Sequence, residues 1–230
     1  MTKVRPVHES GFERVEGDFY PTPVWVTECL LSKAALRGPV WEPCCGDGAI
    51  AKVLTAAGHE VVATDLADRG FGAAGIDFFA TSQMPEGCRT LVTNPPYGDG
   101  GFRGRAGKAA ANMLGFTEHA IRLARQAEGQ LALLVRFQWI AGKRVASLLT
   151  EAKMHSAIVL TRRIRWFDNG GDSKTGQHHH AWIFFDFAAP PIGGPSLVFA
   201  DGPDVQRDRR APLDQSVLPL FGRPSTDADG

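Results

Sequence analysis

The residues best suited to chemistry in this chain are Asn94–Pro95–Pro96–Tyr97, which follow the short apolar run Leu91–Val92–Thr93. Two consecutive prolines remove two backbone N–H donors and keep a helix from starting there. Carbonyl oxygens are left as outward-facing acceptors, beside an asparagine whose amide oxygen is another acceptor. A planar amino group carries two N–H donors, and a pair of acceptors can hold both. Drawing on both hydrogens moves the nitrogen toward tetrahedral geometry and frees its lone pair for attack. Tyr97 adds a flat surface on which an aromatic ring can stack. A proline-rich turn after a strand is the plain alternative for the tetrapeptide taken alone.

A second group of residues precedes it. Glu42–Pro43–Cys44–Cys45–Gly46–Asp47–Gly48 reads as a strand-to-helix turn, with glycines where a ligand needs close backbone approach. Gly46 to Ala51 also fits the dinucleotide fingerprint with alanine last. Electrostatics argues against a pyrophosphate here, because it would meet Glu42 and Asp47 with no basic residue in the turn. The same carboxylates favour a ligand that brings an ammonium and a sulfonium. Asp65 lies about 20 residues past the turn, where an acidic side chain binds ribose hydroxyls. Asp77–Phe78 and Asp18–Phe19–Tyr20–Pro21–Thr22–Pro23 complete the series. Each has a plain alternative: Asp65 as a helix cap, Phe78 as core, and Thr22 as the N-cap of a helix with Pro23 at its first position.

Taken in order, these segments resemble the class I S-adenosylmethionine-dependent amino-methyltransferases of the Asn-Pro-Pro-Tyr type, and within them the adenine-N6 nucleic-acid methyltransferase family. The resemblance covers residues 18–97 by motif and 98–187 by pattern alone. It implies S-adenosyl-L-methionine as cofactor. Tyr20 and Thr22 then help hold the methionine end, with Glu42, Cys44, Gly46 and Gly48 in the turn. Asp65, with Leu66 after it, takes the ribose; Asp77 and Phe78 hydrogen-bond and stack on the cofactor's adenine. Asn94 borders both cofactor and substrate. For catalysis the resemblance implies that Asn94 and the Pro95 carbonyl hold the amino group, Pro96 shapes the turn and Tyr97 stacks on the base. The implied reaction is direct methyl transfer to adenine in nucleic acid, with neither a metal nor a covalent enzyme intermediate. The order of motifs favours DNA over RNA, although the chain lacks room for a large target-recognition domain. A protein-glutamine N-methyltransferase shares the tetrapeptide because a side-chain amide is also planar, but it usually carries a helical domain ahead of the turn. A catalytically inactive nucleic-acid-binding module is a further alternative.

Charge distribution bears on the partner. Lys and Arg match Asp and Glu at 25 each, yet residues 98–180 carry an excess of 13 basic over 6 acidic residues, 13 − 6 = +7. Arg103, Arg105 and Lys108 sit in a Gly-rich stretch and are placed to meet phosphates. Thr161–Arg162–Arg163–Ile164–Arg165–Trp166–Phe167 interleaves basic and aromatic side chains, suited to backbone contact and stacking; a solvated turn is the alternative. Three adjacent histidines, His178, His179 and His180, alternate faces if they lie on a strand, so no metal site is expected.

These residues need a scaffold to bring them together. From Val40 to Phe187 strand-like and helix-like patterns alternate, which predicts an α/β, Rossmann-like methyltransferase fold. The expected sheet is mostly parallel and seven-stranded, with helices on both faces and an antiparallel last strand over Ala181–Phe187. Its strands include Ile76–Phe79 as the third. The domain is expected over residues 18–187, after an irregular segment 1–17 and before a Pro/Gly-rich tail, 188–230, extended or disordered. No apolar run approaches the roughly 20 residues of a membrane span, and the polar start lacks a signal-peptide core. A cytoplasmic protein with reduced thiols, nucleic acid as partner and no membrane association is therefore expected, its oligomeric state left open.

Overall fold

Leu131 to Val135 are apolar without a break, a pattern that needs cover on both faces of a sheet. The computed structural model, which describes residues 20–97, 112–166, 176 and 178–202, provides it. The helices are α1 (Val24–Leu31), α2 (Ala49–Ala56), α3 (Met113–Gln126) and α4 (Lys143–Glu151). The strands are β1 (Val40–Glu42), β2 (Val61–Ala63), β3 (Thr90–Thr93), β4 (Gln130–Arg136), β5 (Ser156–Leu160), β6 (His180–Asp186) and β7 (Ser196–Ala200). They form one sheet in the order β2-β1-β3-β4-β6-β5-β7. Val26, Leu30, Ile50 and Leu54 of α1 and α2 pack with Val92, Leu134 and Trp182 on one face. Phe116, Leu123, Val145 and Leu149 of α3 and α4 pack with Leu91, Leu133 and Ile183 on the other. The result is a mostly parallel, doubly wound, Rossmann-like fold, with β6 running antiparallel between β4 and β5.

Three local features depart from the sequence expectation. No strand forms over Ile76–Phe79; Phe78–Ala80 is instead a single 3-10 turn. The chain beside β2 makes one parallel bridge, Thr64 with Ala73. Gly70, Gly72 and Gly75 all have positive φ, which breaks extended pairing there. The antiparallel strand is also not the last one. Residues 196–200, within the expected tail, add β7 parallel to β5, with Val198 and Ala200 packed toward the core and Leu197 and Phe199 exposed. Finally, α1 starts at Val24 with no side-chain cap, so Thr22 is free for another role.

Two devices aim this scaffold. Trp182 is fully buried and its indole N–H donates to the Val26 carbonyl at 2.8 Å, tying α1 to the centre of the sheet. Arg136 pairs with His180, so the start of β6 lies at the same edge as the carboxyl ends of β3 and β4. In open α/β sheets that edge is where ligands bind.

Candidate active site

Asn94 leaves the tip of β3 with its amide nitrogen turned toward the segment ahead of α1. Nδ2 donates to Thr22 Oγ1 at 3.1 Å and, more distantly, to the Tyr20 carbonyl at 3.4 Å. Thr22 is 5% exposed, so its hydroxyl serves Asn94 rather than a helix cap. Two acceptors on the nitrogen side fix which way the amide faces. Its other end, Oδ1, is buried and has no hydrogen-bond partner among the described residues. Buried acceptors are rarely left in that state unless a ligand or water completes them.

A chain of ring contacts runs from Tyr97 through His180 and Trp166 to Tyr20, whose carbonyl accepts from Asn94. Tyr97 is half-buried, and its hydroxyl donates to the Leu134 carbonyl at 2.8 Å, which locks the ring against β4. Burial holds that phenol well above its usual range, so it stays a donor. The Arg136 guanidinium lies 5.7 Å from the Tyr97 centroid, and the His180 ring meets Tyr97 edge-on at 6.1 Å. Trp166 touches both His180, at 5.4 Å, and Tyr20, at 5.8 Å. The Thr161–Phe167 segment therefore divides. Ile164 is core and Arg162 stands over the Trp25 ring at 5.1 Å. Arg163 and Arg165 are exposed, and Trp166 enters the ring cluster beside Asn94. Pro95 is buried and Pro96 half-buried, holding the turn between Asn94 and Tyr97.

The turn after β1 lies two strands away from β4, beside β3. Glu42 is 1% exposed and its Oε2 accepts from the Ala51 N–H of α2 at 2.9 Å. Burial pushes its carboxyl well above the usual 4.5, helped by Asp65 and Asp47 and opposed by the Ala51 bond. Glu42 thus braces strand to helix with its protonated form favoured by burial, and Asp65 is a carboxylate at the end of β2. Asp65 is half-buried at the end of β2; Oδ2 accepts from the Gly46 N–H at 2.8 Å and Oδ1 from the Ala67 N–H at 2.9 Å. Leu66 is half-buried beside it. Gly48 has φ +79°, and an added Cβ would meet the Phe71 ring at 2.5 Å. The close approach at Gly48 is therefore made by a side chain of this protein. Lys52 caps that ring at 5.2 Å and donates to the Asp47 carbonyl.

The remaining residues fall as follows. Phe78 is 5% exposed and stacked on Phe116 at 4.3 Å, which places it in the core. Asp77 accepts from the Phe79 N–H at 3.0 Å. Burial raises both the Cys44 and the Cys45 thiols, the latter to about 12, so neither is a thiolate nucleophile near neutrality. Asp18, Arg103, Arg105, Lys108 and Phe167 lie outside the described residues. Among the described residues no group of three His, Cys, Asp or Glu side chains is placed to hold a metal ion, and no helix is long and apolar enough to cross a membrane. His180 joins the ring cluster, a place that sequence reasoning did not give it. Its only signal was its place as the last of three histidines before an apolar strand.

The buried state of Glu42 has a measurable consequence. Its folded pKa exceeds its unfolded one, so between the two values only the unfolded chain releases the proton and stability falls as pH rises. Glu42→Gln removes that contribution. Thermal melts across pH should show the variant gaining on the parent above about pH 4.5. The relative gain is bounded at about 1.4 kcal/mol per pH unit in that window. A constant offset between the two proteins would mean Glu42 ionises in place.

The residues at this edge fit S-adenosylmethionine on chemical grounds. Asn94 Oδ1 is an orphaned acceptor, and Asp65 is a carboxylate braced at the strand end. The turn from Glu42 to Gly48 carries two carboxyl side chains and no basic residue of its own, and the cation that reaches it, Lys52, is spent on the Asp47 carbonyl and the Phe71 ring. Such a donor set suits a cation with hydroxyls better than a pyrophosphate.

No protein-family model matches the chain, and no curated protein sequence does. Solved structures do align with it. A modification subunit of a putative type I restriction enzyme from Vibrio vulnificus YJ016 matches at TM-score 0.48 and 12% identity, over 82% of this chain and 48% of that one. A putative class I S-adenosylmethionine-dependent methyltransferase from Listeria monocytogenes matches at 0.46 and 14%, over 77% of this chain and 62% of that one. The type I restriction enzyme EcoKI M protein matches at 0.48 and 15%, over 72% and 43%. This chain thus spans between 43% and 62% of the length of these three structures.

Proposed function

We propose that the chain is an S-adenosylmethionine-dependent methyltransferase acting on the exocyclic amino group of adenine in nucleic acid, with DNA favoured over RNA. The observation that carries this reading is the buried, unpartnered Oδ1 of Asn94, held in place by the bond from its own Nδ2 to Thr22. An acceptor so fixed at the tip of a strand calls for an N–H donor from a ligand. The rings in the neighbouring cluster, Tyr97 and Trp166, favour a flat aromatic donor over an aliphatic one.

When bound, S-adenosylmethionine supplies an electrophilic methyl group on a sulfonium. Everything else is the work of this chain. Asp65 holds hydroxyls and offsets positive charge at the end of β2. Asn94 Oδ1 and the Pro95 carbonyl would accept hydrogen bonds from the two amino hydrogens and leave the nitrogen lone pair free for attack, the one proton that alkylation releases passing to solvent. Tyr97, tied to Leu134, presents a ring that does not have to be ordered on binding. A base in a duplex must leave its stack to reach this edge. The exposed Arg163 and Arg165, flanking Ile164, are positioned to meet the backbone from which it is extruded.

The test is transfer from methyl-labelled cofactor to DNA, RNA and protein, followed by digestion of each product. Label in N6-methyladenine from DNA is expected. Label confined to RNA would overturn the DNA preference, and label in glutamine would overturn the adenine assignment. Cofactor binding without transfer to any acceptor would mark an inactive binding module. Arg163→Ala with Arg165→Ala should lower the slope of log affinity against log salt by about two, one for each phosphate no longer neutralised. Titrations at several salt concentrations measure it, and an unchanged slope removes both arginines from the path.

A further inference from the structure

We infer that Arg136, Lys143 and Arg144 form a surface on which the phosphate backbone of the nucleic acid docks beside the site, continuous with Arg163 and Arg165. The inference rests on the reading above that the acceptor base belongs to a polynucleotide. Arg136 ends β4, exposed, with its guanidinium 5.7 Å from the Tyr97 centroid. The 3-10 turn Phe137–Ala141 leads from it to α4, which opens with Lys143 and Arg144, both exposed. Trp139 and Ile140 of that turn pack against the core, so the three cations are carried on an anchored element. β5 runs parallel to β4, since each is antiparallel to β6. Its carboxyl end therefore delivers Arg163 and Arg165 to the same edge.

None of these five side chains has a carboxylate within ion-pair distance among the described residues. The sequence supplies none locally, because residues 136–150 and 161–166 contain neither Asp nor Glu. Neighbouring groups feel the uncompensated charge: after burial, Arg136 is the next cause pushing down the pKa of both His178 and His180. Lys143 and Arg144 also stand in the first turn of α4, where the helix dipole disfavours cations, and Gly142 provides no side-chain cap. Helix stability does not account for that placement; attraction to a polyanion does. The far end of the same edge has the opposite character. Asp47 follows β1 and Asp65 follows β2, where the cofactor is read to bind. A polyanion is thus repelled from the β1–β2 end and drawn to the β4–β5 end, with Tyr97 beside Arg136 at its border.

Fluorescence anisotropy of a labelled oligonucleotide, titrated with the full chain at several salt concentrations, tests this. The slope of log affinity against log salt should fall by about one in Arg136→Ala and by about two in Lys143→Ala with Arg144→Ala. Arg136→Lys retains the charge and should keep the parent slope, which a merely structural role for the guanidinium would not require. Lys33 follows α1 at the opposite edge of the sheet, where Ala35 bonds Gln130 at the start of β4. Lys33→Ala removes an equal charge and should leave the slope unchanged. Parent-like slopes in the Arg136 and Lys143/Arg144 alanine proteins overturn the inference. An equal fall in Lys33→Ala does so too, since net charge alone would then explain it. Binding is measured without turnover, so the two readings fail separately. Unchanged slopes with methyl still transferred to DNA remove this surface alone, whereas lowered slopes without transfer to adenine keep the surface and remove the adenine reading. A parent with no salt-dependent affinity for DNA or RNA overturns both.

Discussion

Asn94→Ala should reduce methyl transfer by on the order of 10²–10³-fold, the usual cost of removing one preorganised hydrogen-bonding group from a reacting centre. The variant deletes an acceptor that has no partner among the described residues, so little of the loss should come from the fold. Its other bonds, from Nδ2 to Thr22 and Tyr20, anchor the residue. Cofactor affinity should change little, and single-turnover rates at saturating cofactor isolate the chemical step. A companion change sharpens the result. Thr22→Val keeps Asn94 but loosens its amide, and should cost less than the alanine variant while moving kcat rather than cofactor binding. Turnover retained in Asn94→Ala would take Asn94 out of catalysis and remove the main support for the proposed reaction.

The second large effect is on cofactor binding. Asp65→Ala should weaken it by about 1.5–3 kcal/mol, the range for hydrogen bonds to a charged group. That corresponds to roughly ten- to a hundredfold in Kd. The structure adds a reason beyond the ligand itself. Asp65 takes the N–H groups of both Gly46 and Ala67, so it also holds the turn after β1 against the loop after β2. Asp65→Asn separates the two roles. An amide oxygen can keep the Gly46 bond while the negative charge is removed, so the asparagine variant should fall between parent and alanine. Calorimetric titration with S-adenosylmethionine measures all three. An unaltered dissociation constant in the alanine variant would place the ribose elsewhere.

Much of this was legible along the chain because it depends on local pattern. Leu91–Val92–Thr93 running into a double proline marks a strand that ends abruptly, and β3 does end at Thr93. The alternation of strand-like and helix-like patterns from Val40 to Phe187 predicted the α/β layering to which α3 and β4 belong. Where a residue had two readings, local pattern could not choose. Thr22 had the credentials of an N-cap, yet it bonds Asn94 across 72 positions of sequence. Phe78 had those of a cofactor platform, yet it stacks on Phe116 of a helix far along the chain. Glu42 read as a carboxylate facing the ligand of its turn, but packing between β1 and α2 buries it and raises its pKa.

Element type and the presence of an acceptor-bearing turn thus came from neighbours in sequence, since backbone dihedrals and side-chain period are short-range properties. Which side chains surround that turn came from sheet order. Inserting β6 antiparallel between β4 and β5 brings His180 to the end of β4 and within reach of Tyr97 and Trp166. No period in the sequence encodes that meeting, because it depends on how distant strands pair and on which polar atoms their packing leaves without partners.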